Sequence, residues 1–348
     1  MKKVLTVATA SLLAVSLAAC GATGSVSSSS AGDASSTESQ STAATADGAD
    51  AKSYRVAIVQ QLDQPSLDEI RKAAEAELDA KAAEKGITIE YTEFSGQNDA
   101  TTLNQIGTQV VSDNYDAILP IATLAAQCMA NATADTTIPV VYAAISDPAT
   151  AGLTDIANVT GTSDALNTDS IMNMMFTATP DVKTVGLLYS NSEANSTTAI
   201  ADAKKYLDDK GIKYVEKTGN TADEILAAVA SMTDQVDAVF TPTDNVVMAS
   251  AGAVSEALTA AGIPYYTGAD SFVAAGAFTT CGVNYSELGA YTADMLLDVL
   301  ETGVYPEYHV MDGGIITVNT DTAKALNLDP AVFNTLAATV KEVVTSAE

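Results

Sequence analysis

Val56-Ala57-Ile58-Val59-Gln60-Gln61 and Val185-Gly186-Leu187-Leu188-Tyr189-Ser190 open two stretches of this chain that read alike. Each is followed by a long amphipathic segment that ends in Lys-Gly, at Lys85-Gly86 and again at Lys210-Gly211. Tyr115-Asp116-Ala117-Ile118-Leu119 is matched by Val236-Asp237-Ala238-Val239-Phe240, and Ile138-Pro139-Val140-Val141 by Ile263-Pro264-Tyr265-Tyr266. The period is far longer than the roughly 20–50 residues of solenoid and propeller units, so the duplicated unit is a domain. Two similar lobes that face each other enclose a cleft, and such clefts bind small ligands.

Within each unit, short apolar runs alternate with amphipathic segments. Val56-Ala57-Ile58-Val59 is a run of the kind buried on both faces of a parallel sheet. Ser66 and Glu69 have the spacing of a capping box; Leu67, Ile70, Ala74 and Leu78 form the apolar stripe of the helix, and Gly86 ends it. A strand at 87–94, a helix carrying Leu103, Ile106 and Val110, a strand at 117–121, a helix at 125–134 and a strand at 140–144 complete the first unit. The second unit predicts strand 184–189, helix 196–210, strand 212–217, helix 221–233 behind a Thr221/Glu224 capping box, strand 237–241, helix 245–261 and strand 264–268. This alternation specifies an α/β protein with two doubly wound parallel-sheet lobes and right-handed crossovers.

In such sheets the ligand lies outside the carboxyl ends of the strands. Aligning the two units puts those ends in register. Gln60 and Gln61 follow the first strand of one unit; Tyr189, Asn191 and Glu193 follow that of the other. Thr123 is the counterpart of Asp244, and Ser146 with Asp147 the counterpart of Asp270 with Ser271. Apart from Asp147, the first unit therefore presents hydroxyls and amides, and the second adds carboxylates. A zwitterion fits that asymmetry, with its carboxylate on hydroxyls and helix N-terminal amides and its ammonium on an acid. Thr123 and Ser146 suit the carboxylate, Asp244 the ammonium, and Tyr189 or Tyr265 the side chain. Asp244 also stands where it caps the helix beginning near Asn245, and Asp270 and Asp147 stand where turns form.

The N-terminal residues address the chain to export. Lys2 and Lys3 precede an apolar run over 4–17 that is shorter than the about 20 residues a membrane span needs. Leu17-Ala18-Ala19-Cys20 closes it, and these four residues resemble a bacterial lipobox in which Cys20 is lipidated. On this reading 1–20 is a lipoprotein signal peptide. Residues 21–52, almost wholly Gly, Ala, Ser, Thr, Asp and Glu, form a disordered tether, with a reach of roughly 30 Å. The expected location is extracytoplasmic, with membrane contact through the lipid alone. A formal charge of −28 disfavours nucleic acid as a partner. Beyond Cys20, the cysteines Cys128 and Cys281 fall one in each unit and read as small buried apolar residues.

Gln64-Pro65-Ser66-Leu67-Asp68, Ser146-Asp147-Pro148-Ala149-Thr150-Ala151-Gly152-Leu153, Asn158-Val159-Thr160-Gly161 and Tyr189-Ser190-Asn191-Ser192-Glu193-Ala194-Asn195-Ser196 resemble stretches of a transporter substrate-binding family. The family serves ATP-driven tryptophan/tyrosine-type uptake and has the type I periplasmic-binding fold. The resemblance covers roughly residues 53–330. It departs from the family's usual pattern at Gln64, where His is common, and at Thr123-Leu124, where Thr-Pro is common. It implies a monomer that binds a free amino acid, aromatic or large and apolar, adds Asn195 to the site, and delivers to a cognate ABC permease. It further implies an N-terminal lobe of 53–161 plus about 285–312, a C-terminal lobe of about 162–284 plus 313–348, and a three-strand hinge between them.

Enzymatic chemistry finds little support. The sole histidine, His309, follows a Tyr-Pro-Glu turn, and no Gly-rich phosphate cradle follows the first strand, so no metal and no cofactor are expected. Paired carboxylates can hydrolyse glycosides, yet apart from the turn residue Asp147 the acids at the strand ends belong to one unit. A sugar- or nucleoside-binding protein of the same fold is the alternative; this chain has no Trp, leaving Tyr142, Tyr189, Tyr265 and Tyr285 as ring platforms.

Overall fold

A computed structural model describes residues 52–337 and 339–346. The signal peptide, Cys20 and all but the last residue of the tether lie outside the described residues. In chain order the elements are β1 (Ser53–Gln60), α1 (Pro65–Lys85), β2 (Thr88–Ser95), α2 (Ala100–Ser112), β3 (Ala117–Ile121), α3 (Thr123–Ala132), β4 (Val140–Tyr142) and β5 (Val159–Ser163). There follow α4 (Thr168–Ala178), β6 (Thr184–Tyr189), α5 (Ser196–Asp209), β7 (Lys213–Thr218), α6 (Ala222–Ala230), β8 (Ala238–Thr241), α7 (Asn245–Met248), α8 (Ala251–Ala260) and β9 (Tyr265–Thr267). The chain ends with α9 (Asp270–Ala274), β10 (Thr279–Gly282), α10 (Tyr285–Thr302), β11 (His309–Val310), β12 (Ile315–Asn319), α11 (Thr320–Ala325) and β13 (Val340–Val343).

The strands form two sheets, ordered β11-β5-β4-β3-β1-β2 and β13-β12-β10-β9-β8-β6-β7. The first is parallel throughout. The second departs from the expected pure parallel pattern at one junction, where β12 runs antiparallel to β10. β12 enters directly from the other sheet rather than through a right-handed helical crossover, so the handedness that enforces parallel pairing does not act on it. The chain passes between the sheets three times: from β5 to β6, from β10 to α10, which packs on α1, and from β11 to β12.

Period-two alternation explains how one strand serves two cores. Val56 and Ile58 of β1 join the cluster under α1 and α10, while Ala57 and Val59 join the one under α2 and α3. All four are fully buried, as expected for a strand covered on both faces.

Three local expectations are corrected. α1 starts one residue before Ser66: Gln64 is the cap, its side-chain oxygen accepting from Ser66 N at 3.1 Å, with Pro65 at the first helical position. Glu69 is therefore free of capping and accepts instead from Ser286 Oγ on α10, at 2.6 Å. The helix expected over 245–261 breaks at 249–250 into α7 and α8. β5, not foreseen as a strand, is polar in sequence yet wholly buried, because Thr160 Oγ1 donates to Pro306 O at 2.8 Å and Thr162 shares a 2.7 Å hydroxyl bond with Thr292 of α10. The Thr221/Glu224 box is present with a small offset: Thr221 Oγ1 accepts from Glu224 N, while Glu224 reaches back to Asn220 N. Cys128 and Cys281 are buried free thiols. His309 stacks on Tyr291 with centroids 4.3 Å apart.

Candidate functional site

β1 and β6 each lie between the second and third strand of their unit, the point where the strand order reverses and an open α/β sheet leaves a crevice. From the first sheet, α1 and α3 aim their N-termini there, carrying Ser66 and Thr123; from the second come α5, preceded by Asn195, and α7, preceded by Asp244. Backbone strain marks the same place. Ala122 (φ 74, ψ 163) and Ala144 (φ 59) both line the crevice in the left-handed half of conformational space. Such a residue without glycine's freedom costs about 1–3 kcal/mol, which surrounding structure must hold in place.

The lobes are closed over a cavity of about 30 Å³, the size of one water. Five polar contacts cross the cleft, one of them the Thr150 and Thr198 hydroxyls 3.5 Å apart. Gln61 Nε2 donates to Glu193 Oε1 at 3.2 Å, and Gln64 Nε2 to Asn245 Oδ1 at 3.4 Å. Ser146 Oγ and Thr243 Oγ1 lie 3.1 Å apart, and Thr198 Oγ1 donates to Asp147 Oδ2 at 2.6 Å.

Of the residues singled out from sequence, Thr123, Ser146, Asn195 and Asp244 line the cavity. Asn195 Nδ2 is held by Thr243 O at 2.6 Å. Asp244, fully buried, accepts from Ser190 N and Ser196 Oγ at 2.7 Å and from Val247 N at 3.0 Å, so it is also the cap of α7. Gln61 and Glu193 form the latch at the edge of the cavity. Gln61 Oε1 accepts from Leu124 N at 2.9 Å, which fixes the amide so that its NH₂ faces Glu193.

The others stand apart from the cavity. Gln60 turns back to Asp68 Oδ1 at 2.8 Å and Leu62 O at 2.6 Å. Tyr189 points outward, its hydroxyl on Glu216 at 2.9 Å, because it shares a strand face with Val185 and Leu187. Asn191 is exposed and bonds Thr218 Oγ1 at 3.1 Å. Asp270 opens α9 with Lys341 3.5 Å from its carboxylate, and Tyr265 is sealed in the core, edge-on to Phe272.

Among the cavity residues that escaped the sequence reading of the amino-acid site, Asp164, Ser66, Phe272 and Tyr285 bear on recognition. Asp164, where the chain first leaves the β1 sheet, accepts from Ser146 Oγ at 3.0 Å and from Tyr285 OH at 3.1 Å, thereby tying the first crossing to the second. Ser66 presents a buried hydroxyl that has no partner in the structure. Phe272 and Tyr285 supply the aromatic wall.

The electrostatics are one-sided. Burial pushes Asp164 and Asp244 above the usual carboxylate range. Glu193 is pushed up to about 7, first by burial and then by the charge of Asp244, with hydrogen bonds from Asn245 and Asn195 pulling the other way. No Lys or Arg lines the cavity.

A profile of ABC transporter substrate binding proteins matches residues 55–341. This chain belongs to that family. It is 33% identical over 284 residues to the tyrosine-binding protein of Clostridioides difficile strain R20291, covering 80% of this chain and 82% of that one. A domain from Streptococcus pneumoniae solved in complex with L-Trp is similar in structure, with TM-score 0.77 at 29% identity, covering 83% of this chain and all (100%) of that one. The ligand-free, open structure of a Clostridium difficile substrate binding protein with adhesive properties gives TM-score 0.65 at 32% identity, covering 84% of this chain and 100% of its own. At nearly equal identity the ligand complex superposes better than the open form, as the cross-cleft contacts here lead one to expect. As a member of this family the chain is the substrate-binding component of an ABC transporter, built on the type I periplasmic-binding fold.

Proposed function

We propose that the cleft binds a free amino acid with an aromatic or large apolar side chain for an ABC importer. The observation that carries this is an uncompensated buried acid. Asp164 and Asp244 face a cavity without a single basic side chain, and a buried charge without a partner is costly. A ligand ammonium supplies that partner. Asp164 is the better placed of the two, because Asp244 already accepts three bonds within its own lobe. The ligand carboxylate belongs at the N-termini of α1 and α3, against the Ser66 and Thr123 hydroxyls and the Thr123 amide, which has no intrahelical partner. Phe272 and Tyr285 then flank the side chain. Proteins similar to this one are described as binding tyrosine and as complexed with L-Trp, which favours the same class. The role is binding without turnover, and the protein acts as a monomer, held at the outer membrane face by lipid on Cys20.

Calorimetry with tyrosine, tryptophan, phenylalanine, ribose and adenosine tests the reading. An aromatic amino acid should bind and the sugar and nucleoside should not. Asp164→Asn should cost about 2–5 kcal/mol of binding, the range for truncating one partner of a desolvated charge pair. Equal affinity in that variant would remove Asp164 from the ammonium site. For the anchor, Cys20→Ala should release the protein from the membrane fraction; a lipid-labelled mutant would overturn it.

A further inference from the structure

A second, far larger hollow adjoins the closed cavity. It has a volume of about 930 Å³ and runs along α8, α9 and α11, a size in the range of drug-sized ligand pockets. The two spaces share two wall residues, Met248 and Ser271, and meet again at consecutive residues of α1, Pro65 on the groove and Ser66 on the cavity. Ser271 Oγ lies 3.4 Å from Met248 Sδ, so the two shared wall residues touch through their side chains. A thioether with three rotatable bonds makes a poor fixed wall and a good movable one. Met248 is also the last residue of α7, at the two-residue break before α8, where the ladder tightens as Ser250 N bonds Val247 O.

The groove beyond is prepared for something partly apolar. Leu226, Ala251 and Ala274 line it with small apolar surface, while the hydroxyls of Ser250 and Ser255 end there buried and unpartnered. Ser255 is 2% exposed and Ser250 8%, so neither hydroxyl is satisfied by bulk water. A buried hydroxyl without a partner, next to an apolar channel, suits a chain whose far end carries a hydrogen-bonding group.

We propose that Met248 is a gate between the cleft and this groove, and that the groove is an extension subsite for amino acids with elongated apolar side chains. The inference rests on the amino-acid reading of the cleft. The backbone of the ligand stays on Asp164, Ser66 and Thr123; its side chain leaves between Phe272 and Met248, swings the thioether aside, and lies along α8. Where that side chain ends in a polar group, the group meets Ser250 or Ser255.

Calorimetry with the full chain, using tyrosine and O-benzyl-tyrosine as probes, decides it. Wild type should bind the two within about tenfold of each other, a difference near 1.4 kcal/mol. Ala253→Trp fills the groove from the exposed face of α8, outside the cleft. It should leave tyrosine unchanged and weaken O-benzyl-tyrosine by about thirtyfold or more. Met248→Ala should shift the affinity ratio toward the longer probe. The proposal fails if wild type binds tyrosine but not the extended probe, or if Ala253→Trp weakens both equally or neither. If neither probe binds to wild type, the amino-acid reading itself has failed and the subsite falls with it.

Discussion

Glu193 is held between two amides whose orientations are fixed from elsewhere. Gln61 reaches it from the first lobe and Asn245 from the second, Asn245 also accepting from Gln64 across the cleft. Around it stand Asp244, Asn195 and those amides, and no cationic side chain is hydrogen-bonded or salt-bridged to it among the described residues. With the lobes apart, Gln61 leaves and water returns, so the carboxyl goes back toward its ordinary value of 4.5; closed, it sits at about 7. The closed form then holds a proton that the open form has lost throughout that window. Closure, and with it ligand affinity, is therefore favoured below the window's lower edge and loses that advantage as pH rises through about 7. Asp244 is shifted in the same sense. Affinity measured from pH 8 down to pH 5 should rise by about tenfold or more, since each unit of the shift recovered in that range is worth about 1.4 kcal/mol. Glu193→Gln should flatten the profile. A flat wild-type profile would mean that Glu193 titrates alike in both forms.

Much at this scale was legible in the chain. The repeat register singled out Thr123, Ser146 and Asp244, which line the cavity because homologous strand ends meet at one crevice, and the family resemblance added Asn195. It misplaced Tyr189, although the signal was present: Tyr189 keeps parity with Val185 and Leu187, and period two sends all three to the sheet face packed under α4 and α5. Asp164 was invisible for another reason. It follows a strand whose Val-Thr-Gly-Thr-Ser sequence lacks an apolar run, and its burial depends on Tyr285, 121 positions away.

At the scale of elements, α1 against α10 is the contact that carries the first lobe's outer layer, and Gly289 sets how closely they approach. A Cβ there would lie 2.3 Å from Ile70 O and 2.9 Å from Ala73 Cβ. Helix propensity favours Ala over Gly by about 1 kcal/mol, whereas forcing extra atoms into a packed contact costs typically about 1–3 kcal/mol. A backbone oxygen cannot rotate away, so packing should win. Gly289→Ala should lower the melting temperature despite the better helix former, and Gly86→Ala, with open space around it but φ of 63, should destabilise through strain alone. A stabilised Gly289→Ala protein would show that the helices slide apart freely. The alternation of strands and helices was readable from periodicity, while β5, β10 and β11 were not, because short polar strands owe their existence to neighbours rather than to their own pattern.

Across the whole molecule, closure is a balance between weak attractions and a strong common charge. The five polar cross-cleft contacts are each worth about 0.5–1.5 kcal/mol net if typical, and no salt bridge among the described residues spans the two sheets' lobes. Against them stand a chain charge of −28, the buried acids at the cavity, and Glu69 of α1 facing Asp270 of α9 closely enough to raise its proton affinity. An ammonium between the lobes adds the missing positive charge where closure needs it, so ligand and closure should be tightly linked. Small-angle scattering should then show the radius of gyration falling when an aromatic amino acid is added. The melting temperature should rise with it, by the equivalent of about 2.7 kcal/mol at a hundredfold excess over Kd. Raising salt alone should move the ligand-free protein part of the way, because screening weakens the repulsion between exposed acids. Asp164→Asn separates the two contributions. It removes a buried negative charge, so its ligand-free form should be more compact than wild type while its response to ligand shrinks. If Asp164→Asn instead compacts fully on adding ligand, the ammonium is not what closes the lobes, and the hydrogen bonds at the rim must carry the motion.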